Sequence, residues 1–143
     1  TASEAGVAQN TRIAEVVLGG TAFENIDTVS LTAPSSGYVI VIASMQLKAV
    51  HTATVEDHAT IDVSATSAAL RDPNNTKNYL LDANATPGTY VIVTSVQRAF
   101  PVSAGAHTFY LVANEVGGDI RIDDVTITAF FVPTAYGTVE EIG

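Results

Sequence analysis

The chain of 143 residues contains no cysteine, which excludes disulfides, thiolate metal sites and cysteine nucleophiles together. Tryptophan is absent as well, and Met45 is the only methionine. Charged residues make up 15% of the chain, against about 25% in typical soluble domains. Positive charge is scarcest: 6 Lys+Arg stand against 15 Asp+Glu, a formal charge of −9. A nucleic-acid phosphate backbone or an anionic lipid surface is therefore an unfavourable partner, and cations are the natural small ones. No apolar run approaches the roughly 20 residues of a membrane-spanning helix. No signal-peptide pattern is present, and the chain opens on Thr1, as a processed chain or a fragment does. No long window keeps a helical period, and Gly or Pro interrupts most candidates.

What is present is apolar and β-branched. Hydrophobic residues reach 47%, enough for a full core in one domain. High apolar content with little charge implies either apolar surface covered by a partner chain or outward faces built from Thr and Ser. Thr28-Val29-Ser30-Leu31-Thr32-Ala33 alternates with period two, the mark of a half-buried strand. Pro34-Ser35-Ser36-Gly37 is a turn. The longest strand signal follows over residues 38–50, opening on YVIVIA, which suits a central strand covered on both faces. Further strands are expected at residues 12–18, 60–64, 89–96 and 107–113, and over residues 120–132. Residues 97–102 read as an edge strand or a bend, because Pro101 cannot donate to a central ladder. Val116-Gly117-Gly118-Asp119 reads as a tight hairpin turn. Residues 65–88, rich in Asn, Ala, Thr and Asp, read as a surface excursion of the kind that carries function. About eight strands separated by turns imply an all-β antiparallel β-sandwich of jelly-roll type. Residues 1–11 are expected to be a flexible N-terminal arm, residues 12–137 the sandwich, and residues 138–143 a loose tail.

Candidate sites are few. Catalysis at His107 would need a nucleophile and an orienting acid, and no G-x-S-x-G motif surrounds nearby Ser103. His51 and His58 flank Glu56-Asp57, and with Asp62 they could ligate zinc or copper or form a solvated loop. Glu115, Asp119, Asp123 and Asp124 bracket the Gly117-Gly118 turn and offer hard oxygen ligands for calcium as a candidate cofactor. Asp72, Asn74, Asn75 and Asp82 form a second oxygen-rich group. Asn74-Asn75-Thr76 and Asn84-Ala85-Thr86 fit the N-glycosylation triplet. The adjacent aromatics Phe109-Tyr110 and Phe130-Phe131 must point to opposite faces of their strands. Tyr110 and Phe131 are the expected outward members, covered by a neighbouring subunit.

The run Phe100-Pro101-Val102-Ser103-Ala104-Gly105-Ala106-His107-Thr108-Phe109-Tyr110-Leu111 resembles the penultimate hairpin of bacterial TNF/C1q-like domains. The stretch from Asp124 to Gly137, DVTITAFFVPTAYG, looks like the last strand of that group, and Ala33-Pro34-Ser35-Ser36-Gly37-Tyr38 is similar to its strand–turn–strand entry. None of these motifs is catalytic. The resemblance implies a ten-stranded jelly roll, commonly trimeric about an axis lined by apolar side chains and often secreted. The collagen-like Gly-X-Y stalk of the animal members is missing here, so a trimer must be held by the heads alone.

Two functions compete, neither enzymatic. One is a secreted or surface-displayed module that self-associates and binds a protein or glycan through its loops. The other is a structural subunit of an extracellular filament or of a phage capsid or decoration shell. A filament would form if the arm, with Ile13, Val16 and Leu18 as apolar anchors and Gly19-Gly20 as hinge, paired with a neighbour's sheet edge. A jelly-roll enzyme of the cupin kind needs clustered histidines, which three scattered ones do not supply.

Overall fold

The computed structural model describes residues 4–70, 76–133 and 137–140. Nine strands occur among them: β1 (Gly6–Arg12), β2 (Val16–Val17), β3 (Glu24–Ala33), β4 (Gly37–His51), β5 (Asp57–Ser64), β6 (Lys77–Leu81), β7 (Gly88–Val102), β8 (Gly105–Gly117) and β9 (Ile120–Val132). The described residues contain no helix. All pairings are antiparallel. One sheet runs β1-β9-β4-β7, with β2 also on β9, and the other runs β3-β8-β5-β6. Consecutive long strands thus alternate between the two layers, and this strand order is that of a jelly roll.

Period-two burial builds the core. Val39, Val41, Ala43, Met45, Leu47 and Ala49 of β4 all point inward and are fully buried. They meet Phe109, Leu111 and Ala113 of β8 and Ala59, Ile61 and Val63 of β5 from the opposite layer. Phe100 and Phe109 pack ring to ring, 5.1 Å between centroids. Strand β9 carries an extra residue where Ser44 and Gln46 of β4 oppose Thr126 and Asp123. Asp124 absorbs that bulge at φ +48. The inward set therefore changes phase along β9, from Ile120 and Ile122 to Val125, Ile127, Ala129 and Phe131.

Several expectations change. Residues 6–11 are not a free arm, because β1 pairs with β9 residue by residue from Gly6 to Arg12. The sandwich therefore begins at Gly6. The excursion at 65–88 contains strand β6 on the edge of the second sheet. At the end of the sandwich, the Gly137 carbonyl accepts a hydrogen bond from the Tyr38 hydroxyl at 2.9 Å. Leu18 is a core residue at 3% exposure, which withdraws it from any interface, while Ile13 is 76% exposed and Val16 half-buried. Phe131 lies inside at 2% exposure, and Phe130 is the outward member at 42%. A side chain at Gly37 would collide with the Val132 carbonyl and the Phe131 ring, so the close approach of β4 to β9 requires glycine there.

A candidate interaction surface

The first sheet's outer face carries apolar side chains that remain exposed among the described residues. Val7 lies opposite Phe130, Phe130 opposite Ile40, and Ile40 opposite Ala99. One cross-strand row therefore spans all four strands. Val7, Ile40, Phe130 and the next outward residue of β9, Val132, are all exposed. Beside this row, Tyr38, Ile40, Ala99 and Val132 line a groove of about 210 Å³ with residues 137–139. A second apolar stretch lies at the diagonal corner of the same face, where Val91 and Val93 of edge strand β7 point outward beside Lys48 and Gln46. Val93 is 81% exposed. Edge strand β7 also accommodates Pro101, as a strand with one neighbour can.

Alongside Val91 and Val93, on the adjoining stretches of β4 and β9, the face is charged and polar. Arg121 grips Asp119 through two parallel hydrogen bonds of 3.0 Å. Glu15 bridges Lys48 at 2.7 Å and Arg121 at 3.3 Å, and Asp123 accepts from Gln46 at 3.0 Å and lies 3.2 Å from Lys48. The Lys48 hydrogen bond holds the Glu15 carboxyl below its usual value, and the Arg121 fork does the same for Asp119. The hydrogen bond to Glu15 raises the Lys48 ammonium in return.

These partners disperse the carboxylates expected to hold calcium. Asp119 faces Arg121, Asp123 faces Lys48 and Gln46, and Asp124 is exposed on the bulge. Glu115 accepts the Ile120 N–H at 2.8 Å, and burial pushes its carboxyl up. Among the described residues no three acidic or histidine side chains gather as metal ligands. In the second oxygen-rich group, Asp82 caps its own turn by accepting the Asn84 N–H at 2.7 Å. Asp72, Asn74 and Asn75 lie outside the described residues, and Asn84 is exposed.

The histidines and Asp62 separate too. His51 and Asp57 form a wholly buried pair, Nδ1 to Oδ2 2.5 Å, while His51 Nε2 faces the Ala85 carbonyl at 3.1 Å. Asp57 Oδ1 also accepts the Asp119 N–H at 3.0 Å. Gly118, at φ +83, lies so close to Asp57 that any side chain would strike it. This clasp ties the end of β4, the start of β5, the β6–β7 loop and the β8–β9 turn. Both imidazole nitrogens are engaged, so it offers no free base. His58 is half-exposed and meets Asn78. His107 meets the Ser103 carbonyl at 2.7 Å, not the Ser103 hydroxyl. Asp62, wholly buried, pairs with Arg98 at 2.6 Å. Tyr110 is half-buried on the outer face of the second sheet.

No protein-family model and no curated protein matches the chain. Solved structures that superpose on it include the structure of Eiger TNF from S. frugiperda, at 11% identity over 95% of this chain and 98% of that one, TM-score 0.48. The globular domain of zebrafish complement 1qA protein aligns at 5% identity over 92% and 98% of the two chains, TM-score 0.42. A chain of the infectious bursal disease virus Gx strain aligns at 11% identity over 93% of this chain, TM-score 0.41, and the present chain spans 33% of its length. The jelly roll itself rests on the strand order described above.

Proposed function

We propose that this chain is a non-enzymatic jelly-roll module, working outside the cell, that associates with copies of itself through the outer face of the β1-β9-β4-β7 sheet. Its loops, including residues 65–88, are then left to engage a protein or glycan. The observation that carries this reading is the exposed row Val7–Phe130–Ile40–Ala99. Bare apolar rows of this kind mark interaction surfaces. No helix among the described residues is long and apolar enough to cross a membrane.

The two apolar corners differ in composition and position, so a contact joining one to the other is heterologous. Such contacts close into rings or run on as open filaments. The sequence resemblance favours a ring of three. The separation of the corners along the strands keeps the filament or shell subunit as the second reading. Sedimentation equilibrium decides between them. A discrete multiple of the chain mass supports the ring, and a concentration-dependent ladder supports the filament. The double variant Ile40→Ser/Phe130→Ser is expected to be a folded monomer. A wild-type monomer at high micromolar concentration would sink both readings.

A further inference from the structure

We propose that the first strand is exchangeable: Gly6–Arg12 of one chain can leave its own β9 and pair with β9 of a second copy. Residues 13–15 act as the hinge and Glu15 as its latch. The exchange concerns the edge of the sheet and does not rest on the face-to-face association proposed above.

Strand β1 is an edge strand whose only ladder partner among the described residues is β9. Six of its seven residues are exposed, and only Ala8 packs against the core. Its departure therefore uncovers little apolar surface. What holds it is polar and local. Gln9 donates to Thr128 Oγ1 at 2.8 Å. Asn10 donates to Asp27 Oδ1 at 2.7 Å and to the Thr28 carbonyl at 3.1 Å, and Arg12 donates to the Ile26 carbonyl at 2.9 Å. A second copy's β1 would remake each of these bonds unchanged, as exchange of an identical element requires. The seat is also imperfect. Asp27 is 8% exposed, and its Oδ2 is buried with no hydrogen-bond partner among the described residues.

The hinge is bounded sharply. Beyond it, Leu18 is in the core and its N–H donates to the Ile120 carbonyl at 3.0 Å, so the chain from there on stays put. Within it, Ile13, Ala14 and Glu15 are all exposed. The hinge's one strong side-chain attachment is Glu15, held between Lys48 and Arg121 on the neighbouring strands. Three residues reach only about 10 Å when extended, so the acceptor must be an adjacent molecule.

The absence of native cysteine makes the test clean. Gln9 and Thr128 are directly opposed across β1 and β9. The double variant Gln9→Cys/Thr128→Cys should close a disulfide within one chain, as geometry at such a pair allows. The single variants Gln9→Cys and Thr128→Cys, incubated together and then oxidised, should give a mixed dimer in excess over either homodimer. Its yield should rise with salt and rise again with Glu15→Gln in both chains. It should persist with Ile40→Ser in both chains, which separates exchange from association through the face. A mixed dimer no more abundant than the homodimers, with the double variant closing normally, overturns the proposal. Failure of the double variant to close overturns it too, by denying the β1–β9 pairing itself.

Discussion

The two sheets obey the same alternation, yet their outer faces end differently. On the β3-β8-β5-β6 sheet, the outward positions Asp62, Ser64, Val112 and Asn114 are buried. The chain covers them itself. The loop after β5 is tied down over this face by Asn25, which donates to Ser67 Oγ at 2.8 Å and accepts the Ala68 N–H at 2.8 Å. Asn25 is the β3 neighbour of Val112. On the β1-β9-β4-β7 sheet the equivalent outward positions Ile40, Phe130, Val132 and Val93 remain exposed. One sheet closes a largely polar set of positions with its own loop, and the other leaves an apolar face for something else to close. Amphipathic alternation explains why each face exists, but only the path of the connecting loops explains which is left bare.

The largest test of this contrast is Asp62→Ala. Asp62 is wholly buried against Arg98 of the opposite sheet, so the substitution takes a carboxylate away from a buried guanidinium and costs about 3–5 kcal/mol. Were that pair open to water, it would be worth less than about 1 kcal/mol. Urea unfolding of the two proteins at neutral pH distinguishes these outcomes.

Adjacent residues of β9 give the next test. Phe131→Ala should cost about 3–5 kcal/mol, the usual loss for an aromatic removed from a core. Phe130→Ala should cost less than about 1 kcal/mol in the dissociated chain, because its ring is half in water already. The ranking should invert for self-association, which Phe130→Ala weakens directly. Equal stability losses at the two positions would erase the distinction between the inner and outer faces of this sheet.

That pair also shows how far the sequence could be read. The sandwich, the central place of residues 38–50 and a turn at Gly117-Gly118 were legible, because period two and turn chemistry are local signals; that turn is not the hairpin expected, since β8 and β9 lie in different sheets and the chain crosses between layers there. The facing of Phe130 and Phe131 was legible too, but only by carrying the phase of Val125, Ile127 and Ala129 forward, which places Phe131 inside. Treating the aromatics as an isolated pair loses that phase. The expectation that YVIVIA is covered on both faces identified the right strand, and the bare side of Ile40 is where the single chain leaves that cover unsupplied. Strand β1 was hidden because GVAQNTR has no apolar alternation; backbone pairing and polar side chains hold it. The His51–Asp57 clasp and the Asp62–Arg98 pair were illegible for another reason. Their partners come together through the crossing of the chain between layers, and a polar run such as residues 51–58 looks the same whether its histidine is solvated or buried.

The smallest effect concerns the charges alongside Val91 and Val93. Glu15 and Asp119 have carboxyls held below their ordinary values, chiefly by the hydrogen bonds from Lys48 and Arg121. Each therefore contributes stability that is complete above the ordinary carboxylate range and lost as pH falls through the lowered folded value. Glu115 has the opposite sign. Burial raises its carboxyl, so its contribution is present at acid pH and lost as pH rises through the raised folded value. The two tendencies partly cancel between neutral and acid pH. Glu115→Gln should remove the compensation and make the acid fall in melting temperature steeper. Salt screens the exposed ion pairs of Glu15 and Asp119 but leaves the desolvation of Glu115, the largest cause of its shift, in place. Raising ionic strength in the wild-type chain should therefore flatten the acid slope. A Glu115→Gln protein whose slope matches the wild type at every salt concentration would place that carboxylate in open solvent.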